Sequence, residues 1–394
     1  MLVDIRSKIT GGSLTINMRG RIDSSNANDV EQRLEDTRKE TPSDDVVLDL
    51  DGLEYVSSAG LRVLMRLARV VDSLKMINAS SEVYDIFDMT GFTEMFDISK
   101  AYRVISVEGC EVIGAGANGE VYRIDADTIV KVYRNPDALP EIHRERELAR
   151  TAFVLGVPTA IPYDVVRVGD GYGSVFELLD AESYAKLLTT GQKTIDEIAK
   201  MSADLLKIIH GTVVRPDAMP SMRDVALDWV DRLEGRLADD EVAQLRALVE
   251  AVPEDNHMMH GDYHIKNVMV QNGESLLIDM DTLCHGHPIF ELAQMFNSYV
   301  GFGISDHTSV ERFMGISYEE AGELWDKILY LYLDTDDEAY VRSVAEKAAL
   351  VGLARIMRRA WDKGGMETED GRALIEACRA GIQKLLGRVD SLLF

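Results

Sequence analysis

His260-Gly261-Asp262-Tyr263-His264-Ile265-Lys266-Asn267 is followed, twelve positions beyond Asn267, by Asp279-Met280-Asp281. An aspartate and an asparagine on one loop, with a second aspartate returning beside them, is a layout suited to Mg-nucleotide chemistry. One carboxylate can orient an attacking hydroxyl while an amide and another carboxylate hold the metal on the phosphates. The spacing has a geometric reason. Val268-Met269-Val270 and Leu276-Leu277-Ile278 read as two short strands about Asn272-Gly273, a strong hairpin signal, and such a hairpin folds Asp279 back toward Asn267. Asp262 is therefore the candidate catalytic base, and Asn267 and Asp279 are the candidate Mg2+ ligands. Asp281 either touches metal or substrate or bonds to nearby backbone. The spacings of His257, His260, His264, His285 and His287 match no closed zinc pattern, and His260 is expected to hold the loop by packing and hydrogen bonding.

Upstream, Gly114-Ala115-Gly116-Ala117-Asn118-Gly119-Glu120-Val121 follows G-x-G-x-x-G-x-V. The plain alternative is a glycine-rich turn, but Glu111-Val112-Ile113 and Val121-Tyr122-Arg123 on either side give the strand–turn–strand context of a phosphate-covering flap. The absence of a following helix counts against a dinucleotide fold. Gly114, Gly116, Gly119 and Val121 are thus nucleotide-site candidates. Lys131 projects from the apolar strand Ile129-Val130-Lys131-Val132-Tyr133. An unpaired lysine there would be costly, so it is expected to contact the α- and β-phosphates of ATP, steadied by Glu145 or Glu147 of the next helix. Leu148, Ala152 and Leu155 mark that helix's buried face at spacings that favour Glu145.

From residue 110 onward the chain resembles the aminoglycoside phosphotransferase-like branch of the protein-kinase-like fold, which carries HGD-x-x-x-x-N followed by an I-D-x-x-Asp segment. Gly286-His287-Pro288-Ile289-Phe290-Glu291-Leu292-Ala293 resembles its G-D-P-x-x-D-L-A segment, with His287 and Glu291 as departures. The resemblance implies a small β-rich lobe over 108–180 and a larger helical lobe over 181–394. ATP would bind between them, with Phe176-Glu177-Leu178-Leu179 as the hinge and Glu177 and Leu179 among the adenine contacts. Gly261 stands where eukaryotic-type protein kinases have arginine, and the short segment between Asp281 and Pro288 leaves no room for a long activation segment. Both favour a small-molecule hydroxyl as acceptor. The helices over 183–250 and 316–392 would build the acceptor pocket, and an acidic pocket would suit a cationic acceptor.

Residues 1–107 read as a separate α/β unit. Leu14 to Met18 alternates like a strand, Ser24 or Ser25 is placed to cap a helix over 26–39, and Val46 to Leu50 is a short apolar run fit for a buried strand. Leu48-Asp49-Leu50-Asp51-Gly52-Leu53-Glu54-Tyr55-Val56-Ser57-Ser58-Ala59-Gly60-Leu61-Arg62, with Asn78-Ala79-Ser80 and Met89-Thr90-Gly91-Phe92, resembles the STAS domain of anti-sigma factor antagonists. In that family a serine at a helix start is phosphorylated to switch partner binding. Alignment on Gly60-Leu61 puts that serine at Ser58, while Ser57 or Ser58 equally suits a helix cap. The fold class expected is therefore an N-terminal STAS-like α/β domain followed by a bilobal α+β, protein-kinase-like phosphotransferase domain. The STAS part would be a regulatory or docking module for a protein partner. The alternative is a regulatory switch protein whose kinase-like domain binds nucleotide or phosphorylates Ser58 or a partner STAS protein.

Bulk properties agree with this organisation. A chain of 394 residues suggests two or three domains. The net charge of −26 argues against nucleic acid or anionic membrane as a partner. Three widely spaced cysteines and the lack of a leader pattern or long apolar run fit a cytoplasmic protein.

Overall fold

The computed structural model describes residues 3–10, 13–116 and 118–394, so Met1, Leu2, Gly11, Gly12 and, within the glycine loop, Ala117 lie outside the described residues. The chain forms two compact units, Met1–Ser106 and Val107–Phe394.

The first unit runs β1 (Asp4–Thr10), β2 (Ser13–Ile22), α1 (Ala27–Glu40), β3 (Asp45–Asp49), β4 (Leu53–Val56), α2 (Ser58–Ala68), β5 (Ser73–Ala79), α3 (Ser81–Met89), α4 (Phe92–Met95), β6 (Asp97–Lys100) and β7 (Arg103–Ile105). Its main sheet has the order β1-β2-β3-β5-β6, with β4 also paired to β2. β1 and β2 are antiparallel, and the other pairs are parallel. The alternation in β2 is the reason for a one-sided core: Leu14, Ile16 and Met18 are buried because successive side chains of a strand point to opposite faces. They pack with Val30 and Leu34 of α1 and Val63, Leu64 and Leu67 of α2. The cap of α1 differs from the serine expected. Asn26 is the N-cap residue, and Ser25 bonds instead to Asp23; an aspartate two residues earlier offers Ser25 a tighter local partner than the helix N–H groups. At α2 the cap is Ser57, whose Oγ accepts the Gly60 N–H at 3.4 Å. Gly60 has its own reason to be glycine: a Cβ there would lie 2.7 Å from Ile22 Cγ2 and 2.8 Å from Val56 Cγ2.

The second unit opens with β8 (Glu111–Ala115), β9 (Gly119–Arg123), β10 (Thr128–Tyr133), α5 (Leu139–Val154), β11 (Asp164–Val168) and β12 (Gly171–Glu177). These strands pair antiparallel in the order β11-β12-β10-β9-β8. The rest is mainly helical: β13 (Glu182–Ser183), α6 (Tyr184–Thr189), α7 (Ile195–His210), α8 (Met222–Asp231), α9 (Asp239–Glu250), β14 (Met258–Met259), β15 (Val268–Gln271), β16 (Glu274–Leu277), β17 (Cys284–His285), α10 (Ile289–Tyr299), α11 (Thr308–Met314), α12 (Tyr318–Leu333), α13 (Glu338–Asp362) and α14 (Glu369–Leu386). α10 is buried along its whole length, so it is the central helix around which the others are laid. Leu148, Ala149 and Ala152 of α5 join the same apolar core as the helical lobe, which anchors α5 below the small sheet. Among the described residues no helix is long and apolar enough to cross a membrane.

Candidate active site

The β15–β16 hairpin turns on Asn272 and Gly273, both at positive φ (52° and 84°), as a two-residue type I′ connection requires. Its return places the Ile278 N–H on the Asn267 carbonyl at 3.0 Å. The two ends of the metal-site sequence are thereby held side by side. Asp279 follows in the left-handed region, φ 61° and ψ 63°, and heads a short 3-10 turn, Met280–Thr282.

The loop from His260 to Asn267 is held by its own polar groups. His260 donates from Nε2 to the Ile278 carbonyl at 3.1 Å, and its Nδ1 accepts the Asp262 N–H at 3.3 Å; the pair of bonds fixes one tautomer. Asn267 Nδ2 donates to the Asp262 carbonyl at 3.0 Å. The buried Glu291 carboxylate accepts the N–H groups of His260 and Gly261 at 2.5 and 3.1 Å. Burial pushes the Glu291 carboxyl up, but His210, whose Nε2 lies 3.8 Å from Glu291 Oε2, the His260 ring and the Gly261 N–H outweigh this and hold the carboxyl below its ordinary value. Gly261 has φ +79°, and a Cβ there would lie 2.3 Å from the Thr282 carbonyl oxygen. Glycine is required at this place by the close passage of the Asp281–Thr282 turn.

Asp262 is half-buried, with His264 Nε2 3.6 Å from its Oδ2. Burial pushes its carboxyl up; His264, Arg355 and His260 more than offset this and leave it at about 2. It is therefore a carboxylate throughout the neutral range. Lys131 Nζ contacts Glu145 at 3.1 Å and Asp279 at 2.7 Å. Burial alone would lower its pKa, but the charges of Glu145 and Asp279 raise it. Tyr133 Oη also donates to Glu145. Of the two candidate partners only Glu145 reaches Lys131. Glu147 is exposed, because α5 turns Leu148 and Ala152 inward and residue 145 shares their face.

In the glycine loop, Gly119 pairs with Tyr133 across β9 and β10, and a Cβ on Gly119 would lie 2.2 Å from the Val132 carbonyl oxygen. Gly114 pairs with Val121, and Val121 in turn lies opposite Lys131. Gly116 faces open space: a Cβ there would meet nothing within 4 Å. Asn118, at the tip, donates to Asp281 Oδ2 at 3.1 Å. Asp281 is thus drawn toward the loop. Burial and the charges of Asp279, Glu145 and Asp262 push its carboxyl up to about 6, against the pull of Lys131. A cavity of about 440 Å³ opens here, lined by Asn118, Tyr133, Glu141, Arg144, Glu145 and Asp281 among others. Glu177 ends β12 opposite Thr128, roughly 10 Å along the strand from Lys131 at the usual rise per residue. Leu179 is half-buried just beyond it, and the intervening Leu178 N–H bonds to the Asp127 carbonyl.

Among the described residues no group of three or more His, Cys, Asp and Glu side chains is arranged to hold a metal ion. The oxygen donors of Asn267, Asp279 and Asp281 nonetheless suit magnesium, which takes one or two carboxylates and completes its shell with water and phosphate. Burial first, and then the charges of Asp279, Glu145 and Asp262, raise the Asp281 carboxyl against the pull of Lys131. Sequence reasoning passed over Asn118, His264 and Arg355. The first two were legible as polar residues inside quoted motifs; Arg355 carries no local signal. In the first unit, Ser57 is the half-buried cap and Ser58 is the exposed first residue of α2.

Residues 109–331 match the family model described as the phosphotransferase enzyme family, and residues 4–105 match the STAS domain. A protein of Bordetella bronchiseptica named as an anti-sigma factor antagonist, BtrV, is 32% identical over 94 residues, which cover 23% of this chain and 80% of that one. Among solved structures, the ADP-bound aminoglycoside phosphotransferase APH(2'')-Ib is 16% identical over 76% of this chain and 98% of that one, with a TM-score of 0.47. The amicoumacin kinase hAmiN, in complex with AMP-PNP, Ca2+ and Ami, is 14% identical over 76% of this chain and 93% of that one, with a TM-score of 0.49.

Proposed function

Since the chain belongs to the phosphotransferase enzyme family, we propose that its second unit is an ATP- and Mg2+-dependent phosphotransferase acting on a hydroxyl of a small molecule, with the STAS domain as a regulatory or docking module for a protein partner. The observation that carries this reading is Lys131, whose ammonium joins Glu145 from α5 to Asp279 from the end of the hairpin. This ties the nucleotide half of the site to the half that bears Asp262.

In this reading Lys131 contacts the α- and β-phosphates, and the glycine loop covers them. The open space above Gly116 leaves room for a phosphate to approach the backbone. The hinge residues Glu177 and Leu179 border the adenine. Asn267 and Asp279 hold Mg2+, with Asp281 as a further oxygen donor; the ion, when bound, neutralises charge on the transferring phosphoryl group. Asp262 accepts a hydrogen bond from the acceptor hydroxyl and orients its oxygen toward the γ-phosphorus. The new P–O bond forms as the bond to the β-phosphate oxygen breaks, the hydroxyl proton passes to Asp262 and then to solvent, and ADP leaves. A carboxylate at about 2 is too weak a base to remove that proton early, so orientation is its main contribution.

The test is Mg-ATP turnover over a panel of alcohols and amino-alcohols, with Asp262→Ala as the control. Turnover that survives Asp262→Ala would sink the assignment. A second reading is favoured by the exposure of Ser58 beside the capping Ser57: the acceptor is Ser58, or the equivalent serine of a partner STAS protein, and the chain is a regulatory switch.

A further inference from the structure

β10 places Lys131 and Tyr133 on one face, because alternate residues of a strand point the same way, and α5 lays Glu145 against both. The Glu145 carboxylate, 4% exposed, takes the Lys131 ammonium at 3.1 Å on Oε1 and 3.3 Å on Oε2. Its Oε2 also accepts the Tyr133 hydroxyl. The single phenolic proton goes to Glu145, so the Ser174 hydroxyl, 3.3 Å away, is the donor to Tyr133 Oη. Ser174 is buried on β12, directly across from Lys131. Lys131 Nζ also lies 5.2 Å from the centre of the Tyr133 ring, within the range of a cation–π contact. A chain of polar contacts thus runs from Ser174 through Tyr133, Glu145 and Lys131 to Asp279.

The carboxylate at the centre of this chain needs holding. Tyr133 and Glu145 both border the cavity of about 440 Å³, so Glu145 has open space beside it into which it could swing. Lys131 is also contested. Asp279 approaches its ammonium at 2.7 Å, closer than Glu145 does, and belongs to a side chain 42% exposed. In the proposed reaction Asp279 turns to Mg2+ and Lys131 to the phosphates, which leaves Glu145 as the carboxylate that steadies the lysine. The bond from Tyr133 therefore matters more with the nucleotide bound than without it, and a difference between two states is what changes an affinity. Tyr133 supports the glycine loop as well: it pairs with Gly119, and a Cβ on Gly119 would lie 3.2 Å from Tyr133 Cα.

We propose that Tyr133 is a positioning residue of the nucleotide site: its hydroxyl, itself held by Ser174, fixes the Glu145 carboxylate on Lys131 when Asp279 turns to the metal, and so keeps the ammonium on the phosphates. This rests on the phosphotransferase reading above. A phenylalanine would fill the same space in β10 and leave Glu145 without its second anchor. The buried hydroxyl is tolerated in the apolar strand because Glu145 and Ser174 satisfy it from two sides.

The test is calorimetric titration of the full chain with ADP, once with Mg2+ and once with EDTA, so that no acceptor enters the measurement. Tyr133→Phe removes one oxygen and keeps the ring. It should weaken Mg-ADP by about tenfold, the size of one hydrogen bond to a buried charge. Metal-free ADP should be weakened by less than about threefold, because Asp279 then still holds Lys131. In a Glu145→Ala chain, Tyr133→Phe should change Mg-ADP affinity by no more than about twofold, because the hydroxyl acts through that carboxylate. Thermal melts confirm that each variant is folded. Unchanged Mg-ADP affinity in folded Tyr133→Phe, equal losses with and without Mg2+, or an undiminished further loss in the Glu145→Ala chain overturns the proposal. If Tyr133→Phe does not fold, Ser174→Ala removes the donor to the same hydroxyl and should weaken Mg-ADP by about threefold; unchanged affinity there overturns the proposal instead. A wild-type chain that binds no Mg-ADP defeats the phosphotransferase reading and the proposal with it, whereas wild-type binding that Tyr133→Phe leaves untouched defeats the proposal alone.

Discussion

Asp281 is held at about 6 by burial and by Asp279, Glu145 and Asp262, so its ionisation in the folded chain is uphill. The folded carboxyl binds its proton more tightly than the unfolded one, near 3.8. Stability is therefore lost as pH rises from the ordinary carboxylate range through about 6, and the loss is complete above that. Asp281→Asn should raise the unfolding free energy at about pH 7.5 by about 1–3 kcal/mol without metal or nucleotide, and the gain should vanish near pH 4. Thermal melts of both proteins at the two pH values check this; a gain that persists at low pH would show that charge is not the cause. Asp262→Ala should leave the melt cooperative and reduce turnover by about 100-fold or more, read by ADP release. The residues of this site were legible to different depths. For Lys131 the sequence left Glu145 or Glu147 as partner and favoured Glu145, because the helix displays its buried face as apolar spacing. Asn118 could not be placed, because its bond to Asp281 joins residues 163 positions apart and leaves no periodic trace in the sequence.

At the scale of elements, the three glycines of the β8–β9 loop look alike in sequence and differ in the fold. Gly119 is fixed by packing, since its Cβ would lie 2.2 Å from the Val132 carbonyl oxygen, whereas Gly116 faces open space. Gly119→Ala should therefore open the β9–β10 pairing and cost about 1–3 kcal/mol. Gly116→Ala should change stability by less than about 0.5 kcal/mol and yet raise KM for ATP, because a methyl group there meets only the ligand. Denaturant melts and ATP saturation curves on the two variants separate the cases, and equal melts would refute the packing argument. The hairpin around Asn272-Gly273 was readable because two positive-φ residues leave few alternatives. The α1 cap was not, because Ser25 had two local partners within reach and Asp23 won over the helix. Gly261 could be seen to replace an arginine, but its cause, the passage of the Thr282 carbonyl across its Cα, appears only when the hairpin has closed.

At the scale of the whole molecule, an N-terminal STAS domain followed by a phosphotransferase domain was readable because each carries its own motif and its own apolar pattern. The helical lobe gave only amphipathic spacing, which specifies burial but leaves the packing partner open. The pairing of a phosphotransferase with a STAS domain on one chain has a consequence that chemistry can test. Ser57 Oγ accepts the Gly60 N–H and is half-buried, while Ser58 is the exposed first residue of α2. A phosphate on Ser58 would lie at a helix N-terminus, where free N–H groups and the helix dipole favour it by about 0.3–1 kcal/mol, and would add up to about two negative charges to the surface. Phosphorylating Ser57 would instead remove the cap, at a cost of about 1 kcal/mol. If the chain is its own acceptor, incubation with Mg-ATP should therefore give a phosphopeptide modified at Ser58 and not at Ser57. Mixing an active Ser58→Ala chain with an Asp262→Ala chain that retains Ser58 separates transfer between molecules from transfer within one: phosphate on the Asp262→Ala partner requires the former. Phosphate on neither serine, together with rapid consumption of an added alcohol, assigns the active site to the small molecule and leaves Ser58 to a kinase on another chain.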